Sequence, residues 1–266
     1  MAIPPPSNLL DEALDGKGAG DFAASPLSGG RMVLVEDCVE TGGAFVLHHL
    51  LKRCLSPHSS DAVVFLSFAH PFSHYDRILR KMGCNLSSQR DNKRLLFFDM
   101  LMADRLGRNR GKSVEDIFVA LYGDVHRAVE LFLSHEEGRR HVTLIVDDVS
   151  LMEIDAKGSS NLVLDFLHYC HSLTSQFACS FVALNHDDVY STADRSTLLL
   201  QMEYLAEVVI KVEPLATGLA KDVHGQLTVT NKGLEDISGK LRNKVHIFQF
   251  RIKDSSVEYF YPGSKT

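Results

Sequence analysis

The stretch 31–55, RMVLVEDCVETGGAFVLHHLLKRCL, decides how the chain is read. Its first part, residues 32–35, is a continuous apolar run of strand length. After a glycine-bearing turn, Val46, Leu47, Leu50, Leu51, Cys54 and Leu55 recur at the spacing of one buried helical face. A strand, a glycine turn and a helix in that order form the frame of a phosphate loop, G-x-x-x-x-G-K-[ST]. In such a loop backbone amides wrap the phosphates, a lysine reaches the terminal ones and a hydroxyl holds magnesium. Setting Gly42 on the second glycine of that pattern puts Asp37 on the first, Gly43 on the lysine and Ala44 on the hydroxyl. Glu36, Asp37 and Glu40 would also repel a triphosphate. The turn therefore reads as a degenerate phosphate loop unable to hold ATP in the usual way, and no cofactor is expected.

Working outward, residues 62–68 (AVVFLSF) form a second strand without polar alternation, as expected of a parallel strand covered on both faces. Phe72, Tyr75, Ile78, Leu79 and Met82 mark a helix that Gly83 ends. Residues 95–98 are a short strand. A polar basic loop, 104–112 (DRLGRNRGK), then leads into a helix with Val114, Ile117, Phe118, Leu121, Val125, Ala128, Val129 and Phe132 on its apolar face. Gly111-Lys112-Ser113 imitates the end of a phosphate loop. Leu106 stands where the leading glycine is required, however, and the strand ends too early to shape a phosphate nest with it.

The apolar strand 142–146 ends in Asp147-Asp148, the place of the acids that hold magnesium in phosphate-loop ATPases. Without the lysine and hydroxyl those acids have no nucleotide to serve, and the plainer reading is that they cap the next segment. A helix with Leu162, Val163, Phe166, Leu167, Cys170 and Leu173 inward, a strand at 181–184, a helix at 197–205 and a strand at 208–212 complete the alternation. Beyond 215–218 (LATG) no helix separates the strands at 226–230, 245–252 and 257–261, so these are expected to be antiparallel. The result is an α/β fold of the RecA type: a mainly parallel central sheet flanked by helices, with antiparallel strands at the C-terminal end. Residues 1–30, with Pro4-Pro5-Pro6 and five glycines, read as a flexible arm with one short helical turn around 9–14; residues 31–266 read as one domain.

Across 266 residues, 45% hydrophobic and 23% charged content is ordinary for a globular chain, and a net charge of −6 argues against a generic nucleic-acid binder. Five scattered cysteines suit reduced thiols of the cytosol or nucleus. Residues 1–30 resemble neither a signal nor a transit peptide, and no apolar run reaches membrane-spanning length. His70 and His74 lack a third metal ligand, His135-Glu136 lacks the second histidine of a zinc-protease helix, and no G-x-S-x-G occurs. Cys170, between His168 and His171, falls on the apolar stripe and reads as core.

Several stretches carry a more specific resemblance: 72–75 (FSHY), 144–148 (LIVDD), 164–170 (LDFLHYC), and above all 215–218 (LATG) followed by 222–227 (DVHGQL). Together they resemble the family of the sixth subunit of the Elongator complex, over about residues 31–263. The resemblance implies a RecA-like fold without working nucleotide motifs. It also implies a hetero-hexameric ring with two copies each of Elongator subunits four, five and six. The ring's role would be to support modification of the wobble uridine of transfer RNA, a reaction performed by the Elongator catalytic subcomplex, in cytoplasm and nucleus. On this reading the chain is a non-catalytic scaffold whose former nucleotide loop (Asp37, Glu40, Thr41, Gly42, Gly43 and Ala44, with Asp147 and Asp148 behind it) is a contact surface for a neighbouring subunit. The alternatives are a working ATPase using Gly111, Lys112 and Ser113 or an unusual version of the first loop, and an independent nucleic-acid binder. Any transfer RNA contact is expected at two basic stretches: Arg105, Arg108, Arg110 and Lys112, and then Lys240, Arg242 and Lys244. Both lack interleaved aromatic residues and suit phosphate contact without base reading.

Overall fold

The computed structural model describes residues 8–15, 27, 30–105, 111–134, 141–190, 197–216, 218, 220, 222–235 and 241–263. Arg108, Arg110 and Lys240 lie outside them.

The opening strand β1 (Met32–Asp37) runs into helix α2 (Ala44–Cys54), as the sequence predicts. Strand β1 is the axis of the sheet. It pairs in parallel with β5 (Ser180–His186) on one side and with β6 (Val208–Glu213) on the other. With β2 (Ala62–Ser67), β3 (Leu95–Asp99), β4 (Val142–Val146), β7 (Gly225–Glu235), β8 (Leu241–Ile252) and β9 (Val257–Phe260), it forms one nine-stranded sheet of order β3-β2-β4-β5-β1-β6-β7-β8-β9. All pairings from β3 to β6 are parallel, and those from β6 to β9 are antiparallel.

Every residue of β1 is buried, yet the pleat still sorts its side chains between two cores. Met32 and Leu34 enter the core beneath α6 (Val114–Leu133), α7 (Val149–Asp155), α8 (Ser160–Phe177) and α9 (Thr197–Leu205). Val33 and Val35 enter the opposite one, beneath α2, α3 (Phe72–Lys81) and α4 (Leu86–Asp91). A continuous apolar run is what a strand needs when both faces are covered. Arg94, at the entry to β3, closes the C-terminal end of α2: its guanidinium donates to the carbonyls of Cys54 at 3.0 Å and Ser56 at 3.1 Å. These carbonyls have no intrahelical partner, so the cation both caps the helix and ties it to the sheet edge.

Three expectations require correction. Residues 1–30 are not wholly an arm, because α1 (Leu9–Asp15) docks on the sheet with Leu10, Ala13 and Leu14 fully buried, and Leu27 is buried as well. The Asp11 carboxylate meets His49 Nε2 at 2.8 Å and Arg53 at 3.4 Å, and the amide of Asn231 donates to the Ala13 carbonyl at 2.9 Å. Burial would raise the Asp11 pKa, but His49 and Arg53 outweigh it and hold the carboxyl below its usual value. Second, β7 and β8 are longer than their apolar centres, so Arg242 and Lys244 lie on β8, opposite Leu234 and Asn231, and not in a connecting loop. Third, Asp104 and Arg105 end a short helix, α5 (Met100–Arg105), so the polar loop is shorter than 104–112. Among the described residues no helix is long and apolar enough to cross a membrane.

The docking of α1 predicts that Leu10→Ala lowers unfolding free energy by about 2–5 kcal/mol, as for a buried leucine elsewhere in a core. Urea titration measures it, and a change within about 0.5 kcal/mol, typical of a surface position, would return residues 9–15 to a loose arm.

Candidate functional site

The carboxyl ends of β1, β4 and β5 meet at one edge of the sheet, where open α/β folds place their ligand sites. Because β5 lies between β4 and β1, the residue at its end can reach both neighbours. That residue is His186, the register partner of Asp37. Its Nδ1 contacts the Asp37 carboxylate and its Nε2 lies 3.1 Å from Asp148 Oδ2. An imidazole with a carboxylate at each nitrogen donates two hydrogen bonds only when doubly protonated. The hydrogen bonds to Asp148 and then Asp37 push the His186 pKa up to about 10, against the opposing effect of burial.

The other oxygen of Asp37 accepts the Gly43 amide at 2.5 Å. The loop thus closes on a carboxylate from its own strand. A Cβ at Gly43 would stand 3.2 Å from Asp37 Cβ, Val35 Cγ1 and Val212 Cγ2, so the position has little room for any side chain. Between these anchors Thr41 is buried and its amide bonds to the Cys38 carbonyl at 3.0 Å, while Glu40, Gly42 and Ala44 are exposed. The Val39 amide donates to Asp188 Oδ2 at 2.8 Å, which leaves the Val39 side chain 82% exposed at the tip of the loop. Val189 is exposed on the adjoining turn.

On the other flank of β1 a second ion group closes the strand end. Lys211 on β6 lies 2.9 Å from Glu36 and 2.8 Å from Glu203 of α9. Burial pushes Glu36 up to about 7 despite Lys211, and the two carboxylates raise Lys211 despite its own burial. Glu36 and Asp37 are therefore not the open negative charges expected of this loop, because each is matched by a cation of the same chain. An open cleft of about 420 Å³ remains between β1 and β6, bounded by Glu36, Asp37, Asp187, Lys211 and Glu213.

Asp147 and Asp148 divide in role. Asp148 is the N-cap of α7, accepting the Leu151 amide at 2.8 Å while its second oxygen serves His186. Asp147 turns toward β2 and accepts the Phe68 amide at 2.6 Å, the Ala69 amide at 3.2 Å and the Tyr75 hydroxyl at 2.6 Å. It holds the turn between β2 and α3 and does not join the His186 group. Asp147 and Tyr75 both have raised pKa values, burial being the main cause. Ser113 of the glycine-lysine-serine run is the N-cap of α6, its Oγ accepting the Asp116 amide at 3.1 Å in a capping box. Lys112 is exposed beside it, and α5 separates both from β3. The rings of His70 and His74 stack at 4.0 Å, and among the described residues no group of three or more His, Cys, Asp or Glu could hold a metal ion.

His186, Lys211 and Asp188 were not among the residues singled out from sequence. The available signal was 185–188 (NHDD), a polar run directly after the apolar run of β5 and hence at the ligand-side edge of a parallel sheet.

The family model described as "Elongation complex protein 6" matches residues 21–254. The chain belongs to that family. It is similar to Elongator complex protein 6 of Xenopus laevis, 30% identical over 247 residues that cover 88% of this chain and 91% of the relative. It is also similar to those of Homo sapiens, 27% identical over 88% and 91% of the two chains, and of Danio rerio, 26% identical over 98% of each. Among solved structures it resembles a KaiC-like protein, PH0186, from Pyrococcus horikoshii OT3. The TM-score is 0.57 at 10% identity, with 87% of this chain and 90% of that one covered. The fold is RecA-like, and the family match includes residues 21–30, which sequence reading had assigned to the arm.

The His186 group sets a pH dependence. A folded pKa raised above the ordinary value means that the stabilisation is fully present below about pH 6.5 and is lost as pH rises toward about 10. Unfolding curves of the wild type and His186→Gln should therefore differ most at pH 6 and converge as pH approaches 10. A gap that stays constant across that range would show that His186 is not a cation in the folded protein.

Proposed function

We propose that the chain is a non-catalytic subunit of Elongator that offers its former nucleotide loop to a neighbouring subunit. On this reading it belongs to a hetero-hexameric ring with subunits four and five, in cytoplasm and nucleus. The ring supports wobble-uridine modification of transfer RNA by the catalytic subcomplex, and this chain needs no cofactor of its own. The observation that carries the reading is the closure of the loop on Asp37. The Gly43 amide, which a phosphate loop would aim at a phosphate, is bonded to that carboxylate at 2.5 Å, and the cation nearby is His186. Membership of the Elongation complex protein 6 family supports the complex, and the exposed apolar tip, Val39 with Val189, supports a contact use of the loop. Glu40, Gly42 and Ala44 would line that contact, with Thr41, Asp37 and Asp148 holding its shape from below.

For contact with transfer RNA the candidates are the exposed basic residues. Lys112 is exposed before α6, and Arg242 and Lys244 are exposed on β8 at alternate positions, hence on one side of that strand.

Three measurements test this. Val39→Glu should leave the unfolding midpoint of the isolated chain unchanged yet reduce recovery of a mixed assembly with subunits four and five in native mass spectrometry; full assembly would remove the loop from the interface. Calorimetric titration of the isolated chain with ATP should give no saturable heat, whereas micromolar binding abolished by Lys112→Ala would return the ATPase reading. In the assembled ring, alanine at Lys240, Arg242 and Lys244 should weaken binding of different transfer RNAs alike and flatten the salt dependence by about one unit of slope per lost phosphate contact. An unchanged slope would take this strand out of the RNA path.

A further inference from the structure

On the sheet face opposite α1 and α2, helices α6 and α8 leave a groove of about 240 Å³ between them. Its floor is Phe118 and Phe166, packed edge to face with centroids 6.1 Å apart. Tyr122 and Tyr169 lie against each other at 4.4 Å and form one end. Val119 and Tyr169 stand open to solvent, 71% and 52% exposed, and Glu115 and Asp165 occupy the rims. Apolar surface of this kind, contiguous and rimmed by polar groups, marks a place of contact.

Size, shape and charge restrict the occupant. Pockets that enclose whole small ligands hold roughly 300–1,000 Å³, so this groove fits a few anchoring side chains instead. Two neighbouring helices present a trough that a third helix fills with residues spaced three and four apart. Both rim charges are acidic, which favours lysine or arginine beside the anchors. A second copy of this chain is disfavoured on the same ground. Several of its exposed apolar helical residues stand next to acids, namely Ile154 between Glu153 and Asp155, Leu131 after Glu130, and Tyr204 after Glu203, and these would meet the acidic rims with like charge.

We propose that the α6–α8 groove docks a basic amphipathic helix of another protein, at a surface made of helix faces and separate from the loop at the strand ends. The proposal does not depend on the ring reading. The groove's floor is built into the core, so it is present before a partner arrives and needs no rearrangement to receive one.

The chain contains no tryptophan, so a tryptophan placed in a probe peptide reports binding without background. The probe is a leucine-lysine amphipathic helix about five turns long with one tryptophan on its apolar face, compared with a leucine-glutamate counterpart. The full chain should shift the emission of the lysine peptide to the blue in a saturable way and leave the glutamate peptide unchanged. Val119→Glu should weaken the lysine peptide by about tenfold or more. This variant is decisive because its added negative charge would strengthen a merely electrostatic attraction. Glu115→Gln with Asp165→Asn should weaken binding chiefly at low salt. The proposal fails if neither peptide saturates, if both respond alike, or if Val119→Glu leaves the affinity unchanged. It fails also if the free chain self-associates and Val119→Glu dissolves that association, which would give the groove to a second copy.

Discussion

Two carboxylates buried at the ends of β1 and β4, Asp37 and Asp148, need a positive charge between them, and the sheet order supplies one. Strand β5 runs between β4 and β1, and the register sets His186 opposite Asp37. A like-charged buried pair without a cation would take up a proton or force the strands apart. With imidazolium between them, Asp148 still caps α7 and Asp37 still holds the Gly43 amide. One histidine therefore links three strands, one helix start and the entry to α2. Removing one member of a buried ion group leaves the others uncompensated, at a cost of about 3–5 kcal/mol, although the part-exposure of His186 lowers that figure here.

The same solution recurs on the other flank of β1, where Lys211 stands between Glu36 and Glu203. In a nucleotide-binding member of this fold class, magnesium and lysine charges at the switch point are matched by a bound triphosphate. Here acids and bases of one chain match each other on both sides of the strand. The close contact at Gly43 belongs to this arrangement, whereas that at Gly225 serves the packing of neighbouring strands. A Cβ at Gly225 would lie 2.7 Å from the Glu213 carbonyl and 2.8 Å from the Phe250 ring, so β7 approaches β6 only with glycine there.

Much of the fold was legible because parallel strands covered on both faces are written as uninterrupted apolar runs, as at 32–35, 62–66 and 142–146, and the crossovers as helical stripes. The parts that were not legible have separate physical causes. The anchors of α1, Leu10, Ala13 and Leu14, follow helical spacing, but they lie among proline and glycine and have no local partner; Asn231, which holds the helix, is 218 residues away. The outer halves of β7 and β8 carry asparagine, lysine and arginine because an exposed strand near a sheet margin tolerates charge, and charge reads as loop. The loop residues Asp37 and Gly43 were found by the template they fail to satisfy. His186 was not, since no template contains it, and its partners stand 149 and 38 residues away in sequence.

A charge group closed within one chain differs from a bound nucleotide in a way that matters for assembly. A nucleotide at a subunit boundary varies with hydrolysis, so the surface above it varies too. The base beneath Val39 is covalently part of the protein and buried, with Asp37 and Asp148 each under 5% exposed. Because buried pairs are weakly screened, its geometry depends little on salt. The rims of the α6–α8 groove are the reverse case, with Glu115 and Asp165 in solvent, where ionic strength tunes whatever attraction they provide. The loop tip and the α6–α8 groove thus rest on unlike foundations: one is held by internal ions, the other by packed aromatic rings with a charge that salt can adjust.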